Sequence, residues 1–233
     1  MDFSDRHVVV TGGTGALGIA VVGALIEAGA ICHVPWHTEA EAEHFPHRGH
    51  RQVVLVGNTD LSDEAGVARL FDGISRLWAS IHLAGGFAMA PVGETGKSAL
   101  MRQLEMNLVT CFLCCRAAVN RMKLGGEGGR IVNVAARAAL EWRSGTGMAA
   151  YTASKAGVAA LTVALSEEVA KDDILVNAVA PSIMDTPANR RAMPNAGYST
   201  WPKVEEVART ILFLASPDNR VTRGGIVPVY GKA

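Results

Sequence analysis

Two spacings of apolar residues run along this chain: short β-branched runs such as HVVV and RQVVLV, and longer Ala/Leu-rich stretches between them. The short runs predict strands at 7–10, 30–34, 52–57, 81–83, 130–134, 175–180 and 226–229. Helical spacing covers 17–28, 63–77, 98–122, 151–170 and 204–215. Strands apolar at nearly every position need cover on both faces, and helices alternating with them supply that cover. The pattern predicts an α/β fold with a seven-stranded parallel sheet flanked by helices, one domain over 1–233. No repeat or low-complexity tract interrupts it, and LGGEGG at 124–129 reads as a turn before a strand.

Composition narrows the function classes. At 233 residues and 49% hydrophobic content the chain can bury a sizeable core. Lys plus Arg and Asp plus Glu both number 22, so no long-range positive field gathers nucleic acid. The start, MDFSDRHVVV, lacks the apolar region of a signal peptide and nothing later approaches a membrane span, so a cytoplasmic protein acting on a small molecule is expected. Of the four cysteines, Cys111 and Cys115 share one helix face. No second CxxC or nearby histidine completes a metal set, and the thiols read as small buried hydrophobes.

HVVVTGGTGALG sets a glycine-rich turn between the first strand and the first helix. Gly13, Gly15 and Gly18 fit GxGxxG, in which glycines allow a tight turn, close approach of a pyrophosphate and helix-on-strand packing. The helix start then offers free N–H groups to the anion. A Rossmann-type doubly wound domain binding NAD(P)(H) is the expectation. At the end of the second strand, where an acid would bond the ribose 2′-hydroxyl, stand Pro35, Trp36 and His37, with Glu39 and Glu41 reading as beyond it. Lacking the acid, and with His37 able to face a phosphate, the sequence tilts towards NADP(H); His37 as a plain surface residue is the alternative.

In AAYTASKAGVAAL, Tyr151 and Lys155 lie four apart and project from one helix face. A phenol ordinarily titrates near ~10, and an adjacent ammonium favours its phenolate, which suits proton transfer beside a hydride donor. Taken alone, the pair is also what a lysine stem packed on a tyrosine would give.

TGGTGALG, Ala84-Gly85 after the fourth strand, Asn107 in EMNLVT, YTASK and NAVAPSIMDTP together resemble the short-chain dehydrogenase/reductase superfamily over essentially the whole chain. The resemblance implies Tyr151 as proton donor or acceptor, Lys155 as its charged partner and a ribose ligand, and Asn107 as support for a relay water. It implies Asp60 beside the adenine and Thr186 near the nicotinamide amide, where a helix cap and a turn residue are the alternatives. Implied cofactor contacts also include Gly12, Gly13, Thr14, Gly15, Leu17, Gly18, Leu61, Ala84, Gly85, Gly86, Pro181 and Met184. It further implies a homodimer or homotetramer, with 98–122 and 151–170 as natural interfaces. Departures are Ala16 for a glycine, His82-Leu83 for Asn-Asn, and Ser182 for a glycine after Pro181.

The largest departure lies after the fifth strand, where the superfamily usually carries a serine and this chain has Ala135 and Ala136. Ser144 or Thr146 could substitute, and both also read as turn residues. Losing one preorganised donor to a developing oxyanion costs about 3–4 kcal/mol, which a ketone reductase would feel and a conjugated acceptor would feel less. AGGFA at 84–88, ARAALE at 136–141 and DTPANRRAMPNAGYSTW at 185–201 are similar to the quinonoid dihydropteridine reductases. Ala136, Arg137, Asn189, Arg190 and Met193 are the candidate substrate contacts, the last three on a lid, with Trp201 read as a packing anchor. Reduction of a quinonoid pterin is the first reading. A small-ketone or alcohol enzyme and a silent dinucleotide-binding regulator are the alternatives.

Overall fold

The computed structural model describes residues 1–232. Seven strands, β1 (His7–Thr11), β2 (Ile31–Pro35), β3 (Val53–Val56), β4 (Leu77–His82), β5 (Gly129–Val134), β6 (Ile174–Pro181) and β7 (Ile226–Val229), form one sheet in the order β3-β2-β1-β4-β5-β6-β7. Every pairing is parallel. The helices are α1 (Ala16–Glu27), α2 (Glu39–Glu43), α3 (Glu64–Asp72), α4 (Lys97–Leu104), α5 (Thr110–Gly125), α6 (Arg137–Leu140), α7 (Ala149–Glu168), α8 (Pro187–Ala192) and α9 (Val204–Ala215).

Side-chain alternation sorts the core into two layers. Val8 and Val10 of β1 join Ala79 and Ile81 of β4 against α1 and α9, through Val21, Leu25, Ile211 and Leu214. Val9 points the other way, towards Leu70, Cys114, Met122 and Val158 of α3, α5 and α7. All eight residues of β6 are buried, as a central strand covered on both faces requires. β1 pairs with both β2 and β4, so the chain reverses its order of growth there, and the carboxyl edge at such a switch point is where open α/β sheets bind ligands in a crevice.

Two expectations need correction. The helix expected over 63–77 stops at Asp72, because Gly73 ends it, and Leu77 and Trp78 belong to β4. Their apolar character suits either period, and sheet burial decides it. The helix expected over 98–122 is a continuous run interrupted by a π-helical turn, Glu105–Val109, which apolar spacing does not announce. The short α2, α6 and α8 were not foreseen.

The glycine turn is fixed by packing at two positions. Gly12 has φ +65°, and a Cβ there would stand 2.7 Å from the backbone N of Ala84; at Gly18 a Cβ would lie 2.2 Å from the carbonyl oxygen of Gly12. Gly18→Ala is expected to destabilise the fold by about 1–3 kcal/mol, read as a lower midpoint of thermal unfolding; an unchanged midpoint would show that the loop yields instead.

Candidate active site

The crevice is built at the switch point. Gly15 precedes α1, and no side chain caps the helix, so its first N–H groups remain for an anion. Thr14 and Gly15 line the turn, while Leu17 and Gly18 are buried beneath it. The turn is tied to the next loop by Ala84 N–H, which donates to Thr11 Oγ1 at 3.3 Å. These residues fit a dinucleotide: the cradle is open where a diphosphate would lie and filled where the helix must pack.

Asn107 is the joint of the site. It sits in the π turn, almost fully buried. Its Nδ2 donates to the Gly86 carbonyl at 3.0 Å and to Ser154 Oγ at 3.1 Å, and its Oδ1 accepts from Gly86 N–H at 3.0 Å. Ser154 Oγ donates on to the Tyr151 carbonyl at 2.7 Å. One amide thus locks Ala84-Gly85-Gly86, the π turn and the first turns of α7 together. Gly85 is the close approach: a Cβ there would meet Asn107 Oδ1 at 2.5 Å and Lys155 Nζ at 3.4 Å.

Tyr151 lies in the first turn of α7 and Lys155 one turn on. The Phe87 ring meets Tyr151 edge-on, centroids 4.9 Å apart. The expected lowering of the phenol by the ammonium is not found in this arrangement. Burial pushes Tyr151 up to about 12. Burial also pulls Lys155 down to about 8, and its Nζ donates to the Val134 carbonyl at 2.8 Å. Four-residue spacing predicts a shared face; it does not reveal that the sheet end competes for the ammonium.

At the ribose end Glu41 lies in α2, beyond the end of β2. α2 folds it back, and its Oε2 accepts from His37 N–H at 2.9 Å. Asp60, held below the ordinary carboxylate range by Ser62, lies in electrostatic reach of His37, with Leu61 beside it, so Glu41 holds the His37 backbone while Asp60 is in reach of the side chain. Asp63 rather than Asp60 caps α3, accepting from Gly66 N–H at 3.0 Å.

Around the opposite rim, Thr186 caps α8 by accepting from Asn189 N–H at 3.1 Å. Asn189 Nδ2 donates to the Met184 carbonyl, Met193 ends the helix, and Trp201 is buried. Arg190 pairs with Asp185 through two bonds, 2.6 and 2.8 Å, and Arg137 pairs with Glu141 at 2.7 Å. Pro181 closes β6, and Ala135 and Ala136 are buried after β5. Ser144 Oγ and Thr146 Oγ1 donate to the carbonyls of Glu141 and Arg143, so both are spent within their turn.

Residues 6–197 match the short chain dehydrogenase family. The chain is a short-chain dehydrogenase. It is 35% identical to galactitol 2-dehydrogenase of Rhizobium johnstonii, over 96% of this chain and 93% of the relative. It is 34% identical to cis-4-hydroxycyclohexanecarboxylate dehydrogenase of Sinomonas cyclohexanicum, over 98% and 96%. Its fold matches that of ElxO with NADP bound, TM-score 0.87 at 22% identity, covering 97% of this chain and 98% of that one. The dehydrogenase is therefore an NAD(P)-dependent oxidoreductase. No helix among the described residues is long and apolar enough to cross a membrane.

Sequence reasoning missed three features. The π turn has no sequence signature. Phe87 stood inside AGGFA without a role, and its exposure beside Tyr151 appears only once the loop is folded. The third is a correction: His82, distant in sequence, folds against Cys111 and Cys115, so a histidine does stand beside the thiols.

Asn107→Leu removes the partners of Gly86 N–H, Gly86 C=O and Ser154 Oγ at a buried point. A loss of about 2–4 kcal/mol is expected from denaturant unfolding. A loss below about 1 kcal/mol would mean that water replaces the amide.

Proposed function

We propose that this dehydrogenase reduces a neutral, conjugated acceptor such as a quinonoid dihydropterin, with Tyr151 as proton donor. The observation that carries this reading is the buried Ala135-Ala136 pair where the family usually holds a serine, together with the engagement of Ser144 and Thr146 in turn bonds. Without that second hydroxyl beside Tyr151, charge developing on one carbonyl oxygen loses a donor, whereas a conjugated ring spreads it. Phe87 and Met89 after β4 and Trp142 after β5 are exposed apolar side chains at the carboxyl edge, suited to a planar ring. Arg137 and Arg190, both ion-paired, favour a substrate without a carboxylate or phosphate.

In this reading the nicotinamide supplies the hydride, and the chain's own residues manage the proton. Tyr151 is held protonated by burial and donates from the edge beside Phe87. The Lys155 ammonium offsets the phenolate left behind and reaches the ribose. Asn107, by fixing the π turn and Gly86, supports the relay water that returns the proton. Gly12, Gly13, Thr14, Gly15, Ala84 and Gly85 would hold the diphosphate and ribose, and Pro181, Met184 and Thr186 the nicotinamide. Glu41 at the His37 backbone and Asp60 in reach of its side chain add negative charge that would oppose a 2′-phosphate, which favours NADH over the NADPH expected from the strand end alone. The exposed Val109, Phe112 and Val163 on the π turn, α5 and α7 support a homodimer or homotetramer through these helices.

A second reading, oxidation of a secondary alcohol, is favoured by the activities for which the two relatives are named. A turnover panel separates the readings: quinonoid dihydropterin with NADH should exceed every simple ketone or alcohol in kcat/KM, and Tyr151→Phe should lower that rate by roughly 10²–10⁴. Preference for an alcohol would give the second reading, and an unaltered rate in Tyr151→Phe would remove Tyr151 from its role.

Because burial pulls Lys155 down to about 8, its charge is present below that pH and lost above it. Reductive kcat/KM should therefore fall as pH rises through about 8, and a profile flat from pH 6.5 to 9.5 would count against the Lys155 assignment.

A further inference from the structure

Beneath the crevice, between β4, β5 and α5, four donor atoms converge in a fully buried space. The ligand atoms of His82, Cys111 and Cys115 all lie within 4.8 Å of one another. Cys115 Sγ is 3.5 Å from His82 Nδ1 and 3.5 Å from Asn133 Oδ1, and those two atoms are 2.8 Å apart. Cys111 and Cys115 reach the same side because they are one helical turn apart, and His82 and Asn133 because they are register partners on adjacent strands.

The surroundings orient these donors. Asn133 Nδ2 donates to Thr162 Oγ1 at 2.9 Å, and Thr162 donates to the Val158 carbonyl at 2.8 Å, so Oδ1 must face the thiols. His82 Nε2 lies 2.7 Å from Ser80 Oγ. A proton on Nδ1 satisfies the Asn133 contact in the absence of a cation. With the proton on Nε2, donated to Ser80, the Nδ1 lone pair joins the thiols and Oδ1 in facing one point, and Ser80 becomes the outer partner that metal-bound histidines require.

We propose that His82, Cys111, Cys115 and Asn133 form a buried site for a thiophilic d10 cation, Zn²⁺ or Cu⁺. Tetrahedral Zn²⁺ with ordinary bond lengths sets sulfur and nitrogen donors about 3.6 Å apart and nitrogen and oxygen about 3.4 Å apart. The observed 3.5 Å spacings of Cys115 fit as they stand, the 2.8 Å contact must open by about 0.6 Å, and Cys111 Sγ, within 4.8 Å of the other ligand atoms, must close on the same point. Two thiolates neutralise Zn²⁺, and one thiolate beside one thiol neutralises Cu⁺, so no net charge is buried. Because no donor reaches solvent, the cation enters as the chain folds and braces β4 one residue before Leu83-Ala84-Gly85.

The test refolds the full chain from denaturant with Zn²⁺, with Cu⁺ under reductant, or with Co²⁺, then desalts it. The wild type should retain about one Zn²⁺ or Cu⁺ per chain, melt at higher temperature when loaded, and show a thiolate-to-cobalt charge-transfer band. Zn²⁺ and Cu⁺ in competition identify the preferred ion. His82→Asn and Cys115→Ser, each checked for native circular dichroism, should retain none and show no band. Wild type that holds neither ion, variants that hold as much as wild type, cobalt bound without the band, or a Cys111–Cys115 disulfide in the refolded chain would each overturn the site.

Discussion

Three hydrogen bonds from one buried amide hold the crevice in shape. Asn107 closes a loop with both backbone groups of Gly86 and reaches Ser154 in the same gesture. The loop after β4 has no sheet partner of its own, and without that amide its polar backbone would have to find water. The π turn makes the contact possible, because it carries the side chain out of the ordinary helical path and points it at the loop. Diphosphate cradle, tyrosine helix and loop are thereby held relative to one another by side-chain geometry as well as by the sheet.

Burial sets the electrostatics as strongly as proximity does. Tyr151 and Lys155 are both withdrawn from water, and each is pushed towards its neutral form. The lysine is retained by the carbonyl at the end of β5, not by the phenol. In such a place a charge costs stability that the fold recovers elsewhere, which is the usual condition of groups kept for chemistry.

Much of this was legible beforehand. β-branched runs such as HVVV and ILVNAVA mark strands because nothing else in a small α/β domain buries so many consecutive apolar residues. Tyr151, Lys155 and the glycine turn stand out because their chemistry depends on local spacing. What escaped depends on the fold. Glu41 read as lying beyond the ribose end until α2 turned its carboxylate back onto the His37 backbone N–H, and His82 looked isolated because strand register, not sequence, sets it beside Asn133 and the thiols. Leu77 joined the wrong element and Trp78 none, because their hydrophobicity carries no period by itself.

The extra residue in the π turn also fixes rotational phase. Each residue of an α-helix advances the chain by about 100°, so deleting one within Glu105–Val109 would swing everything downstream by that angle. Cys111 and Cys115 would turn away from His82 while Asn133 stayed where it is. The insertion that exposes Asn107 to the loop thus also aims the thiols of α5, and the two arrangements can be kept or lost only as one.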